Sequence, residues 1–177
     1  MKSFLTTLCL LLLPTCVPAQ KSVSDLAPAH AAALQGYLAQ NPDLEFLPET
    51  SMDKETLRDM RKNFEPRLTP YYRKGDFNHD GIQDFGIVLI KEGGPVKTND
   101  DLDEPYREEY EMNVVVFNGQ RRGGYKAVFR KKMEAPLVCF LYSSFEKKRK
   151  LYFAIYATDA GFVMTPAGKG YIAEYID

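Results

Sequence analysis

The spacing of apolar residues predicts a helical first part of the chain, residues 24–64. The first helix is expected over residues 24–40, capped by Ser24, with an apolar face formed by Ala27, Ala31, Leu34 and Leu38. A second helix is predicted to start near Asp53, where Thr50 and Asp53 show capping-box spacing, and its buried stripe would be Leu57, Met60 and Phe64. Pro66 and Pro70 then end the helical part.

From Tyr71 onward the apolar period becomes that of β-strands. Strands rich in Val, Ile, Phe and Tyr are predicted near residues 71–74, 85–90, 112–117, 125–130, 137–143, 150–157 and 170–176. Turn residues such as Asn118-Gly119 and Gly123-Gly124 separate successive strands, so an antiparallel meander is expected. These elements predict a single α+β domain over residues 20–177, with N-terminal helices packed on an antiparallel β-meander sheet over the β-rich residues 71–177.

Composition narrows the class of protein. The chain has 177 residues, of which 45% are hydrophobic and 27% charged, and this is typical of one globular domain. Its net charge of −1 lacks the basic excess of a general nucleic-acid binder, so no nucleic-acid partner is expected.

The first nineteen residues have the pattern of a secretory signal peptide. Lys2 supplies a positive charge, residues 4–13 form an apolar run, and Val17-Pro18-Ala19 provides a cleavage site after Ala19. The run is shorter than a membrane span of about 20 apolar residues, so no transmembrane segment is expected in the mature chain. The alternatives are a short anchor helix or a lipoprotein lipidated at Cys16, although Thr15 is an unusual residue before a lipidated cysteine. Either way, a periplasmic or extracellular protein is predicted.

Cysteine usage fits a protein without a disulfide. Cleavage after Ala19 removes Cys9 and Cys16 and leaves Cys139, which has no internal partner. Cys139 lies in the apolar run Leu137-Val138-Cys139-Phe140-Leu141, so a buried and unreactive thiol is expected.

One motif carries recognisable chemistry. Residues 75–86 read Gly-Asp-Phe-Asn-His-Asp-Gly-Ile-Gln-Asp-Phe-Gly, which places oxygen-bearing side chains at alternate positions around Gly81. Calcium takes six to eight oxygen ligands, whereas magnesium prefers a smaller octahedral shell. The predicted ligands are Asp76, Asn78 and Asp80 through their side chains, Ile82 through its carbonyl and Asp84 through its carboxylate. The predicted ion is a structural Ca²⁺.

The motif resembles the calcium loops of FG-GAP and VCBS-type repeats, with their G-D-[FL]-N-x-D-G-x-x-D-[FL] signature between two β-strands. It differs from an EF-hand, because loop position twelve is Ile87 and a strand-like run follows. The resemblance covers about residues 75–90 and implies a calcium-binding hairpin loop with the same five ligands. Since the unit occurs once and His79 replaces a common glycine, no propeller is implied. The alternative is a polar turn without an ion.

Three further features have both a functional and a structural interpretation. The acidic residues between Lys97 and Glu111 could form a second cation site or a solvated loop. The basic pairs Arg121-Arg122 and Lys147–Lys150 could form an anion-binding patch or soluble hairpin tips. The aromatic residues Tyr152, Phe153, Tyr156, Tyr171 and Tyr175 could form a platform for carbohydrate or peptide, or pack within the sheet.

Motifs of known catalytic sites are missing from the sequence. The chain has two histidines, His30 and His79, and contains no G-x-S-x-G, H-E-x-x-H, P-loop or dinucleotide fingerprint. We therefore expect a monomeric, calcium-stabilised binding or interaction protein without catalysis, whose partner is a protein or a cell-surface glycan. The alternative is a calcium-dependent hydrolase of an envelope or extracellular polymer, with carboxylates from residues 100–111 beside the metal.

Overall fold

A computed structural model describes residues 22–23, 26–144 and 150–176. The predicted signal peptide, with Cys9 and Cys16, lies outside these residues. The predicted Ser24 cap and the basic residues 147–149 also lie outside them.

The secondary structure is dominated by strands. The helices are α1 (Pro28–Gln40) and α2 (Lys54–Asn63), with a short 3-10 helix at Glu49–Ser51. The strands in the described ranges are β1 (Leu44–Phe46), β2 (Tyr72–Gly75), β3 (Asp84–Lys91), β4 (Lys97–Thr98), β5 (Glu108–Gly119), β6 (Tyr125–Ala135), β7 (Cys139–Ser143), β8 (Leu151–Ile155), β9 (Gly161–Ala167) and β10 (Gly170–Tyr175).

The strands form two antiparallel sheets. In the first sheet, β5 pairs with one edge of β3, and β1 and β2 both pair with the other edge of β3. β5 also pairs with β6 and, at its beginning, with the short β4. The second sheet is a four-stranded meander in the order β7-β8-β9-β10.

The predicted α+β class, with N-terminal helices packed on one meander sheet, is wrong. The described residues are mostly β, with 43% in strands, 18% in helices and two short α-helices. The strands divide into two sheets after β6, where Pro136 interrupts the extended chain and β7 pairs with β8 instead. Apolar alternation identifies strands, but it does not show which strands share a sheet.

Both faces of the first sheet are covered. On one face, Val88, Val114 and Val116 belong to a buried cluster that includes Phe153, Phe162 and Met164 of the second sheet. On the other face, a separate cluster joins Phe85, Ile87, Val115 and Phe117 to Leu34 of α1. Consecutive residues of β3 and β5 are therefore buried, because alternate side chains point into different clusters.

Strand β9 was not predicted. Pro166 explains the omission, because proline lacks the N–H that a central strand needs. In the structure Pro166 pairs with Tyr171 of β10, while the pairing of β9 with β8 ends at Met164. Pro166 therefore has no β8 residue opposite it.

Among the described residues, no helix is both long and apolar enough to span a bilayer.

Candidate metal centre

The predicted calcium motif connects two paired strands, as expected. β2 ends at Gly75 and β3 begins at Asp84, and these two residues face each other across the pair. The connecting loop turns through left-handed backbone at His79 (φ 63°) and Gly81 (φ 84°). Glycine adopts this conformation without steric cost, so Gly81 allows the loop to fold back on itself.

The polar side chains of the loop point at its own backbone. Asp76 accepts hydrogen bonds from the amides of Asp80 (3.1 Å) and Gly81 (3.0 Å). Asn78 Oδ1 accepts from the Asp80 amide at 3.0 Å, and Asp80 Oδ1 accepts from the Ile82 amide at 2.8 Å. These bonds hold three of the predicted ligands on the inner side of a tight turn.

Asp84 occupies a different environment from the other predicted ligands. Its side chain is fully buried, and Oδ2 accepts hydrogen bonds from the amides of Phe77 (2.9 Å) and Asn78 (3.3 Å). Oδ1 accepts from the Gly119 amide at 3.0 Å, and the Tyr171 hydroxyl lies 3.4 Å from Oδ2. Asp84 thus joins the loop to the end of β5.

Burial raises the pKa of Asp84 above its ordinary value, although the three amide hydrogen bonds oppose the shift by favouring the carboxylate. Burial also raises the pKa of Tyr171, and the Asp84 charge adds to this rise. The Tyr171 hydroxyl has one proton to donate, and of its two acceptors Asn118 Oδ1, at 3.0 Å, is nearer than Asp84 Oδ2, at 3.4 Å. Through this hydroxyl β10 contacts both the loop anchor and the end of β5.

Close backbone contact also fixes the loop against β5. A Cβ at Gly119 would lie 2.5 Å from the Gln83 carbonyl oxygen and 2.5 Å from Ile82 Cγ2. Such contacts are too short for any side chain, so Gly119 is required for the close approach.

The predicted ligands offer the oxygen atoms that calcium prefers, but their side chains do not form a recognisable metal-binding group. Within the described ranges, no three Asp, Glu, His or Cys side chains are grouped so that they could hold a metal ion. Two of the predicted ligands, the Asn78 side-chain amide and the Ile82 backbone carbonyl, are not Asp, Glu, His or Cys side chains and therefore do not count toward such a group. The oxygens of Asp76 and Asp80 each have a second lone pair available, as does Asp84 Oδ1, whereas Asp84 Oδ2 already accepts from two amides and lies 3.4 Å from the Tyr171 hydroxyl. The ligand role of all five residues stays a prediction.

A polar cleft of about 380 Å³ lies between the loop and the β5–β6 turn. Asn78, Asp80 and Ile82 line one side, and Arg121 and Arg122 line the other. This basic pair therefore faces the acidic loop. Residues 147–149 lie outside the described part of the chain, so a patch shared with them is not described.

The acidic stretch near residues 100–111 is remote from the loop. β5 has 12 residues; the stretch includes its first four, and the loop contacts its last, so eight residues or about 27 Å of extended strand separate Glu111 from Gly119. Several of these acids form ion pairs: Asp100 with Arg107 (2.9 Å), Glu109 with Lys97 (3.3 Å) and Glu111 with Lys132 (2.6 Å).

The predicted aromatic platform is divided by the fold. Phe153 and Tyr171 are buried between the sheets, whereas Tyr152 is half-buried and stacks on Tyr142 with 4.8 Å between ring centroids. Tyr175 is 71% exposed. Cys139 is buried as expected, and burial strongly raises the pKa of its thiol, so it is not a nucleophile.

Sequence reasoning missed the polar core around His30. This side chain is 2% exposed, and its ring nitrogens lie 2.5 Å from the Tyr72 hydroxyl and 2.7 Å from the Tyr125 hydroxyl. Its ring also stacks on Phe85, with 4.4 Å between centroids. Burial, with a smaller contribution from the Lys74 charge, lowers the pKa of His30. A lone histidine in a helix gives no sequence indication of these partners.

Comparison of the chain with protein-family models, curated proteins and solved structures finds no match.

Proposed function

We propose that this protein is an exported binding or interaction protein without catalytic activity, in which the loop of residues 76–84 holds one structural Ca²⁺. The observation that carries the proposal is the hydrogen-bonded geometry of that loop. Asp76, Asn78 and Asp80 are drawn to the inner side of a turn at Gly81, between two paired strands. An ion at this position would hold the turn against the first sheet. Because only the folded chain forms the site, calcium binding would stabilise the native state.

The ion is assigned a structural role because of where the loop is attached. Asp84 fixes one end of the loop to Gly119, and Tyr171 connects the same region to the second sheet. Asp76, Asn78 and Asp80 would hold the ion with their side chains and Ile82 with its carbonyl. Calcium supplies positive charge that offsets the repulsion among the carboxylates.

The hydrolase alternative loses its proposed acids. It required carboxylates from residues 100–111 near the metal, but those residues precede β5 or lie in its first four positions, at the end of the strand opposite to the loop. Burial raises the pKa of Asp84, but this carboxyl is fully buried and cannot reach a polymer. The partner we propose is accordingly a protein or a cell-surface glycan that is bound and not cleaved.

Calcium binding is tested by calorimetric titration of the chelator-treated protein. The proposal expects one ion per chain, with binding weakened at least tenfold in Asp80→Asn, because this exposed carboxylate would be a direct ligand. Asp159→Asn is the matched control, since it removes an exposed carboxylate outside the loop. Absence of binding in the unmodified protein, or equal weakening in both variants, would contradict the proposal.

The absence of catalysis is tested with insoluble envelope polysaccharide and calcium. Sedimentation measures binding, and an assay for soluble reducing ends measures cleavage. Binding without release supports a binding protein. Calcium-dependent release of fragments would instead establish the hydrolase. Cleavage of a precursor after Ala19 during secretion, shown by N-terminal sequencing, would support export, and an uncleaved product would contradict it.

A further inference from the structure

The polar cleft between the loop of residues 76–84 and the β5–β6 turn has walls of opposite charge. Asp80 lies on one wall, and Arg121 and Arg122 lie on the other. All three side chains are exposed, and neither arginine forms an ion pair with a described residue. The space between the walls, about 380 Å³, falls in the range of small-molecule sites, roughly 300–1,000 Å³.

A calcium ion in the loop would need oxygen ligands from outside the chain. Calcium takes six to eight oxygens, and the five predicted ligands supply five if each gives one. At least one position on the ion is then left for another molecule. Asn78, Asp80 and Ile82 are predicted ligands that also line the cleft, so the cleft is where an outside oxygen would reach the ion.

The arginine pair favours an anion as the source of that oxygen. Guanidinium groups bind carboxylates through paired N–H donors, and these charge-assisted hydrogen bonds are stronger than neutral ones. Without calcium, the negative charge of Asp80 would repel a carboxylate that approaches Arg121 and Arg122. Calcium offsets this charge and itself attracts oxygen ligands. Calcium and a carboxylate should therefore each strengthen the binding of the other.

The rest of the lining favours a ligand that carries hydroxyl groups. Asn118 and Gln120 line the cleft, and Asn118 Nδ2 and Gln120 Oε1 form no hydrogen bond with the described residues. An amide donor and an amide acceptor suit sugar hydroxyls, which both donate and accept. Ile82 has the one apolar side chain in the described lining, so the cleft offers no apolar pocket to anchor a peptide.

We infer that the cleft binds a uronic acid sugar of an acidic polysaccharide. The sugar carboxylate pairs with Arg121 and Arg122 and completes the coordination of the calcium ion, while the hydroxyls contact Asn118 and Gln120. The two carboxylate oxygens have about four lone pairs, which is enough for both roles. The inference rests on the proposed function, because it needs calcium in the loop, and it names the chemical class of the glycan.

The test is calorimetric titration of the purified protein with trimers of galacturonate, glucuronate and mannuronate. At saturating calcium, at least one of the three should bind, with one trimer per chain. Removal of calcium should weaken this binding at least tenfold. Reduction of the carboxylates to alcohols should weaken it as much, because the charge is lost. Triglutamate has carboxylates but no hydroxyls and should also bind at least tenfold more weakly.

Substitutions locate the sugar at the arginine pair. The double variant Arg121→Gln/Arg122→Gln should weaken uronate binding at least tenfold. It should not weaken calcium binding, because it removes positive charge near a site for a cation. Arg58→Gln/Arg67→Gln is the matched control, since it removes two exposed arginines outside the cleft. Equal weakening by the two double variants would overturn the assignment. Unchanged binding in both would also overturn it and leave the arginine pair as a soluble hairpin tip.

The outcomes separate this inference from the proposed function. Calcium binding with no binding of any uronate trimer would overturn the inference and leave the calcium site in place. No calcium binding would overturn both. Uronate binding that persists without calcium would overturn the inference, because the ion would then play no part in it. Equal binding of triglutamate would also overturn it and assign the cleft to an acidic peptide.

Discussion

Replacing Asp84 with alanine tests whether this buried carboxylate anchors the loop to the first sheet. The change removes the acceptor for the amides of Phe77, Asn78 and Gly119. An unsatisfied buried donor costs about 1–3 kcal/mol, and loss of one partner from a buried charged network costs about 3–5 kcal/mol. Since water can reach the half-buried Asn78, we expect the free energy of unfolding to fall by about 3–5 kcal/mol.

The assay is thermal unfolding in the presence of chelator, so that no ion contributes. For a chain of this size each kcal/mol shifts the melting temperature by about 2–4 °C, and the expected decrease is therefore about 6–20 °C. Asp84→Asn should be nearly as unstable, because it replaces one acceptor oxygen by an NH2 group. This group would point N–H donors at backbone amides that are themselves donors. Asp159→Asn, at an exposed position, should melt within about 2 °C of the unmodified protein.

Two results would refute this reasoning. A melting temperature of Asp84→Ala close to that of the unmodified protein would show that the hydrogen bonds contribute little. A loss of stability seen only with calcium present would show that Asp84 is a ligand and not an anchor.

Two further predictions concern the helix and the loop. Burial lowers the pKa of His30, so the native state binds fewer protons than the unfolded chain below pH 6.5. The free energy of unfolding should therefore fall as the pH decreases from about 6.5 toward the lower native pKa. The expected slope is at most about 1.4 kcal/mol per pH unit. Urea unfolding at several pH values should show this slope in His79→Gln and not in His30→Gln, and a slope unchanged in both would contradict the assignment. Gly81→Ala should lower the free energy of unfolding by about 1–2 kcal/mol, because Gly81 has φ 84°. Gly36→Ala lies on the exposed side of α1 with open space around it and should raise the free energy of unfolding by about 0.5–1 kcal/mol. Chemical unfolding of both variants measures the difference, and equal effects of the two changes would contradict it.

Much of the local structure was predictable, because it depends on neighbouring residues. The spacing of apolar side chains predicted α2 and most strands, and the loop of residues 76–84 was expected between two paired strands. α2 starts next to Asp53 as expected, but Asp53 itself caps the helix, through the amides of Glu55 and Thr56, in place of the Thr50–Asp53 capping box. These features depend on side chains within a few positions of one another.

The arrangement of the elements was not predictable from the same patterns. The sequence of β3 is one apolar run, because the side chains on its two faces are buried in two different clusters. Nothing in that run indicates which element packs on each face. The anchoring of Asp84 depends on Gly119, and the His30 site depends on Tyr72 and Tyr125. These partners lie far apart in the sequence, so only the folded chain brings them together.

The most direct measurement of the central claim is the melting temperature of the chelator-treated protein as calcium is added, with magnesium as the control. At a calcium concentration about a hundredfold above the dissociation constant, a site specific to the native state stabilises by about 2.7 kcal/mol, or about 5–11 °C. The account predicts this saturable rise with calcium, a smaller one with magnesium, and loss of the calcium effect in Asp80→Asn. A melting temperature unchanged by calcium would contradict the account and leave residues 76–84 as a polar turn held only by its own hydrogen bonds.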